Sequence, residues 1–150
     1  MNQAWIKSVL FSLGTAFGGL HAIAADAPTA ADKGATAIFA GGCFWCTESD
    51  FEKVPGVIAA ESGYTGGKKT NPTYEEVSAG GTGHTEAVRV TYDPARVNYA
   101  QLVEYFWHTI DPTVRNRQFC DVGSQYRSAI FWQTEEERTI AERSRDALLA

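Results

Sequence analysis

The chain lacks most of what would mark a nucleic-acid, membrane or metal protein. It has no basic cluster, and its 150 residues carry a net charge of −5. Both facts argue against phosphate backbones and anionic bilayers as partners. No apolar run spans a bilayer, because residues 9–20 are broken by Gly14, Gly18 and Gly19. Only three cysteines and three histidines are present, with no second C-x-x-C and no H-x-x-x-H. A zinc site would therefore need Cys43 and Cys46 joined by Cys120, His84 or His108, so no metal is expected. No internal repeat or low-complexity segment is visible, and the length fits one domain.

What is present begins with an address. A short start with one Lys leads into the apolar residues 9–20, then Ala22-Ile23-Ala24, a small-x-small cleavage pattern, then Ala25-Asp26. That order predicts a secretory signal peptide over residues 1–24 and a linker over 25–34. The alternatives are an uncleaved anchor or a disordered tail. Cleavage after Ala24 would leave 126 residues, enough to bury about two-thirds of the unfolded surface. It removes one Lys and no acid, taking the net charge to −6. The expected destination is periplasmic or secreted, with no stable membrane association after cleavage.

Residues 35–40 read as a buried strand ended by Gly41-Gly42. Residues 43–54 read as a helix stopped by Pro55-Gly56. A second strand covers 57–64, a polar loop 68–72, and a short helix 73–78. Residues 85–92 alternate most clearly, with Glu86, Val88, Val90 and Tyr92 on one face and Ala87, Arg89 and Thr91 on the other. Asn98 caps a helix over 99–110 with Leu102, Val103, Phe106 and Trp107 as its stripe. Residues 112–124 read as a long polar loop and 126–132 as a fourth strand. Thr134-x-x-Glu137 is a capping box opening a last helix that runs to the chain end. Strands alternating with helices predict an α/β domain of two layers, a mixed β-sheet with helices packed against it.

Two residues carry chemistry on this reading. Cys43 follows a strand and opens a helix, where free amide N–H groups and the positive dipole end favour a thiolate. Cys46 lies one helical turn on, within disulfide reach. The helix could instead begin at Thr47, because Thr47-x-x-Asp50 is also a capping box. A static disulfide, half of a zinc site and a thioredoxin-like motif compete with a redox role. Phe44 and Trp45 inside the pair are a bulky apolar filling suited to gripping a substrate. Glu86 sits either on the core face, where burial raises its pKa and makes it a proton donor, or at the solvent end beside a cation.

Gly42-Cys43-Phe44-Trp45 resembles the signature of the A-type peptide methionine sulfoxide reductases. So do Ser62-Gly63-Tyr64-Thr65-Gly66-Gly67, Asn71-Pro72-Thr73-Tyr74, Gly83-His84-Thr85-Glu86-Ala87-Val88 and Gln125-Tyr126-Arg127-Ser128-Ala129-Ile130. The motifs stand in family order over residues 37–131. The resemblance implies an α+β sandwich with a ferredoxin-like core over residues 35–150. It implies that Cys43 attacks the sulfoxide sulfur, that Phe44 and Trp45 wall the methyl group, and that Glu86 protonates the oxygen. Tyr74 and Tyr126 would hydrogen-bond that oxygen, with Asp121 a further polar residue at the site.

Methionine would then be released with Cys43 left as a sulfenic acid, a second thiol would condense with it to a disulfide, and an external thioredoxin-like dithiol would regenerate the enzyme. No cofactor is implied, and the expected substrate is the S epimer of methionine sulfoxide in proteins, peptides or the free amino acid. Many relatives resolve with a cysteine near the C-terminus, whereas here none follows Cys120. The resolving thiol is Cys46 or Cys120, and either could instead be a small buried residue. The family usually continues past a helix like residues 134–150 with a strand and a wrapping tail. Rival functions are a general thiol-disulfide exchanger using Cys43 and Cys46, and a non-catalytic module gripping methionine-rich peptides.

Overall fold

The computed structural model describes residues 34–150. The signal peptide expected at 1–24 and all but the last residue of the linker expected at 25–34 lie outside these residues. Among the described residues no helix is long and apolar enough to cross a membrane.

The elements run β1 (Ala35–Gly41), α1 (Phe44–Phe51), β2 (Val57–Thr65), α2 (Tyr74–Ser78), β3 (Thr85–Tyr92), α3 (Tyr99–Trp107), β4 (Arg117–Gln118), β5 (Asp121–Val122), β6 (Ser128–Ile130) and α4 (Glu135–Leu148). The main sheet has the order β2-β3-β1-β6. Neighbours run antiparallel, so β1 and β2 run the same way with β3 between them. This is the split β-α-β arrangement of ferredoxin-like folds.

Alternation along the strands divides the sheet into two faces. Ala37, Phe39, Val88, Val90 and Tyr92 meet Phe51 of α1 and Leu102, Val103 and Phe106 of α3 in one core. Phe39 lies at its centre, its ring 4.8 Å from Phe51 and 5.1 Å from Phe106. The opposite face carries a smaller cluster of Ile38, Ala40 and Ala87 under Ala129 and Phe131. The stripe expected on α3 is the buried one, and its last member, Trp107, turns to α4 and donates Nε1–H to Ser144 Oγ at 2.8 Å.

Four expectations need correction. The first helix starts at Phe44, with Cys43 as its N-cap; Thr47 is no cap but donates its hydroxyl to the Cys43 carbonyl. The polar stretch 112–124 contains the β4–β5 hairpin, too short to show a strand period in sequence. Tyr126 is not on a strand: it ends a 3-10 turn at Ser124–Tyr126, and β6 begins at Ser128. The box at Thr134 is half made, because Thr134 Oγ1 accepts from Glu137 N–H while the Glu137 carboxylate accepts from Gln133 N–H. The boxes at Thr73 and Asn98 are complete.

Candidate active site

The site lies where β1 hands over to α1. Gly42 makes that turn at φ +94°, a backbone only glycine adopts without strain, and its Cα faces the stem of Gln118. The turn delivers Cys43, half-buried, to the start of α1. Its partner across the core is Glu86, which is 2% exposed. Glu86 Oε2 accepts the Phe44 N–H at 2.9 Å, so a carboxyl satisfies one of the free amides of the helix start. Of the two sequence readings of Glu86, the core face is the observed one.

Burial holds the Glu86 carboxyl above the usual range, and the negative charge of Asp121 adds to that. The Phe44 N–H works against it, but burial dominates. A neutral carboxyl can accept that N–H through one oxygen and keep a proton on the other.

Four aromatic rings gather beside this acid. Phe44 is buried, with its ring 5.3 Å from Trp45, 5.6 Å from Tyr64 and 6.3 Å from Tyr74. Trp45 stacks on Tyr74 at 5.7 Å and is 61% exposed. Tyr74 owes its place to the α2 cap, since Thr73 and Glu76 bond reciprocally around its first turn. Tyr126 is aimed by the tethers of its turn. Thr85 Oγ1 donates to the Gln125 carbonyl at 2.8 Å, Gln125 Nε2 to the Ser78 carbonyl at 2.9 Å, and Arg127 Nη1 to the Ser124 carbonyl at 2.7 Å. Burial and then the nearby charge of Glu86 raise the Tyr126 pKa, so its hydroxyl keeps a proton to donate.

On the other side of Cys43, α1 presents Cys46, Thr47 and Asp50 to a cleft of about 630 Å³, closed by Tyr105, Phe119, Cys120 and Asp121. All three cysteines line it and all are free thiols. A hydrogen bond with Cys43 is the largest cause that raises the Cys46 pKa, with burial second, so Cys46 holds its proton beside Cys43.

Cys43, Phe44, Trp45, Cys46, Tyr74, Glu86, Cys120, Asp121 and Tyr126 therefore gather around one helix start. Sequence reading missed Tyr64, which pairs with Glu86 across β2 and β3 and is pushed up to about 12, first by burial and then by the Glu86 charge. It also missed Glu48, whose carboxylate accepts the Ser62 N–H at 2.7 Å and the Ser62 hydroxyl, tying α1 to β2. His84 stands apart from the thiols. Its ring accepts the Gly67 N–H and meets the Lys69 carbonyl at 2.8 Å, pinning the loop that leads to Tyr74. Only strand register and loop closure expose these three roles.

Residues 35–150 match the family described as peptide methionine sulfoxide reductase. The chain belongs to this family. It is 56% identical over 113 residues to a peptide methionine sulfoxide reductase MsrA of Limosilactobacillus reuteri, covering 75% of this chain and 65% of that protein. It is 54% identical over 127 residues to MsrA 2 of Caulobacter vibrioides, covering 84% and 64%. Among solved structures it resembles methionine sulfoxide reductase A of Corynebacterium diphtheriae, with TM-score 0.69, 39% identity and coverage of 76% and 57%. It also resembles reduced Mxr1 of Saccharomyces cerevisiae, with TM-score 0.67, 32% identity and coverage of 74% and 68%. The chain thus spans just under two thirds of the length of these two relatives.

Proposed function

We propose that this chain reduces methionine S-sulfoxide in proteins and peptides to methionine. The observation that carries the reading is the placement of Glu86 beside Cys43: the thiol stands at the N-cap of α1, and the buried acid accepts the N–H of the next residue, Phe44. The Cys43 thiolate attacks the sulfoxide sulfur while Glu86 delivers its proton to the departing oxygen. Tyr74 and Tyr126 donate to that oxygen, and the rings of Phe44 and Trp45 enclose the methyl group. The protonated oxygen passes from the substrate sulfur to the Cys43 sulfur as the new sulfur–sulfur bond breaks, so methionine leaves and Cys43 is left as a sulfenic acid.

A thiol sulfur then displaces that oxygen as water and forms a disulfide with Cys43. Cys46 is the resolver this reading favours, because it already bonds Cys43 and lies one turn along α1. Cys120 lines the same cleft and is the second choice. An external thioredoxin-like dithiol takes up the disulfide by exchange, leaving both cysteines reduced. No other cofactor is needed, and burial, with the charge of Asp121 adding to it, favours the protonated form of Glu86. The leader pattern of residues 1–24 supports export to the periplasm or beyond.

The test is single turnover of pre-reduced protein on each epimer of a methionine sulfoxide peptide, followed by mass mapping of the disulfide. Product from the S epimer alone, with a Cys43–Cys46 linkage, is the expected result. A folded, reduced protein that yields no methionine would sink the proposal.

A further inference from the structure

Gln118 takes no part in the chemistry above, yet it is the largest polar side chain among those less than 2% exposed. Its amide is fully employed. Oε1 accepts the Asp111 N–H at 2.8 Å, and Nε2 donates to the Asp111 carbonyl and to Ser128 Oγ, both at 2.8 Å. It thereby pairs both backbone groups of one residue, as a neighbouring strand would. Its stem lies against Gly42, where an added Cβ would stand 2.6 Å from Gln118 Cβ.

Four segments meet at this side chain, and each leads to the site. Gly42 precedes Cys43. Ser128 pairs with Gly41 and follows Tyr126 by two residues. The loop at Asp111 comes from α3. Gln118 itself pairs with Asp121 across the β4–β5 hairpin, with Phe119 and Cys120 at its tip. A hairpin of two-residue strands cannot hold its own place in water, and its outer residues Phe119 and Val122 are 69% and 68% exposed.

We propose that Gln118 is a positioning residue that anchors the β4–β5 hairpin to the Gly42 turn and so sets where Asp121 and Cys120 stand relative to Cys43 and Glu86. The catalytic meaning of this role rests on the reductase reading; the anchoring does not. Without the amide, Asp111 N–H, Asp111 C=O and the Ser128 hydroxyl lose their partner in a closed site. The hairpin is then free to move. The groups that act on or feel the Glu86 carboxyl are the Phe44 N–H from α1, Tyr64 from β2, Tyr126 from its turn, and Asp121 from the hairpin. Asp121 is the other carboxyl among them, and its negative charge disfavours ionisation of Glu86. A displaced hairpin relieves that repulsion.

The experiment compares Gln118→Leu, close in size and without the amide, with Val103→Ala, which loosens the α3 core, in the full chain. Two readouts are followed against pH: the Glu86 carboxyl carbon by NMR and the single-turnover rate. In Gln118→Leu, Glu86 titrates at lower pH, the alkaline limb of the rate moves the same way, and the rate falls on the order of tenfold. Val103→Ala lowers the melting temperature and moves neither readout. In an Asp121→Asn background, Gln118→Leu adds no further titration shift. If Gln118→Leu does not fold, Ser128→Ala, which removes one of the three bonds, carries the test with a smaller shift in the same direction. An unmoved Glu86 titration in the folded variant overturns the assignment, as does a shift that survives undiminished on Asp121→Asn. The titration needs no turnover, so an inactive wild type would sink the reductase reading and leave this inference to the NMR result alone.

Discussion

The two ends of β3 obey one pattern and do opposite things. Toward Tyr92 the inward residues are Val88, Val90 and Tyr92, closed against Phe39 and α3 in an apolar core. Toward Thr85 the same inward face presents Glu86, equally closed from water, with the Phe44 N–H bonded to its carboxyl. A carboxyl at the first end would be a defect with no use for its proton. At the second it meets a helix start and a thiol. Burial that stabilises one end holds the other in a costly state, and that cost keeps a proton on the acid.

The largest effect expected is on turnover. Cys43→Ser removes the nucleophile while leaving the helix start and the core end of β3 intact. Single-turnover product should vanish, and the melting temperature should stay within a degree or two. Retained product would move the chemistry away from the site end altogether.

Glu86→Gln should lower the single-turnover rate roughly 10²- to 10⁴-fold and erase the decline in rate that follows ionisation of the acid. The wild-type rate should decline as pH rises through the raised Glu86 pKa, because only the protonated acid works. Stability should move the other way. Between the ordinary carboxyl value and the raised one, the folded state holds a proton that the unfolded chain has lost. Stability therefore falls as pH rises across that window, and Glu86→Gln should flatten that fall and raise the melting temperature at pH 8. A lower melting temperature would mean that Glu86 supports the fold rather than burdening it.

At the core end the contrast reverses. Phe39→Ala should lose about 3–5 kcal/mol of stability by denaturant titration, because Phe39 is fully buried among three rings. The pH at which the rate declines should not change in whatever protein remains folded. The smallest effect expected is that of Thr73→Ala, which deletes half of the α2 cap at about 1 kcal/mol. Its activity loss should be small and appear in both kcat and KM, since α2 carries Tyr74, which donates to the sulfoxide oxygen.

Much of this was legible beforehand for local reasons. The alternation of residues 85–92 put Glu86 in line with Val88, Val90 and Tyr92, and the helix after Gly41-Gly42 put a thiol at a helix start. Both depend on residues next to one another in the chain. What eluded the pattern was set by distant partners. Tyr126 turned out to sit in a 3-10 turn because Thr85 and Arg127 bind that turn's carbonyls. The hairpin that carries Asp121 and Cys120 has strands too short for any period and is held by one buried amide.

The sequence by itself determined the family, the order of the longer strands and helices, and the candidate thiol and acid, because periodicity and motif spacing are properties of the chain read along its length. Only the tertiary structure decided that Glu86 is buried, that its oxygen meets the amide of Phe44, that Tyr64 lies across from it, and that the three thiols share one cleft. The physical reason is that desolvation and hydrogen-bond pairing belong to groups brought together from 14 to 97 positions apart in the chain, and such distances exist only once the sheet has closed.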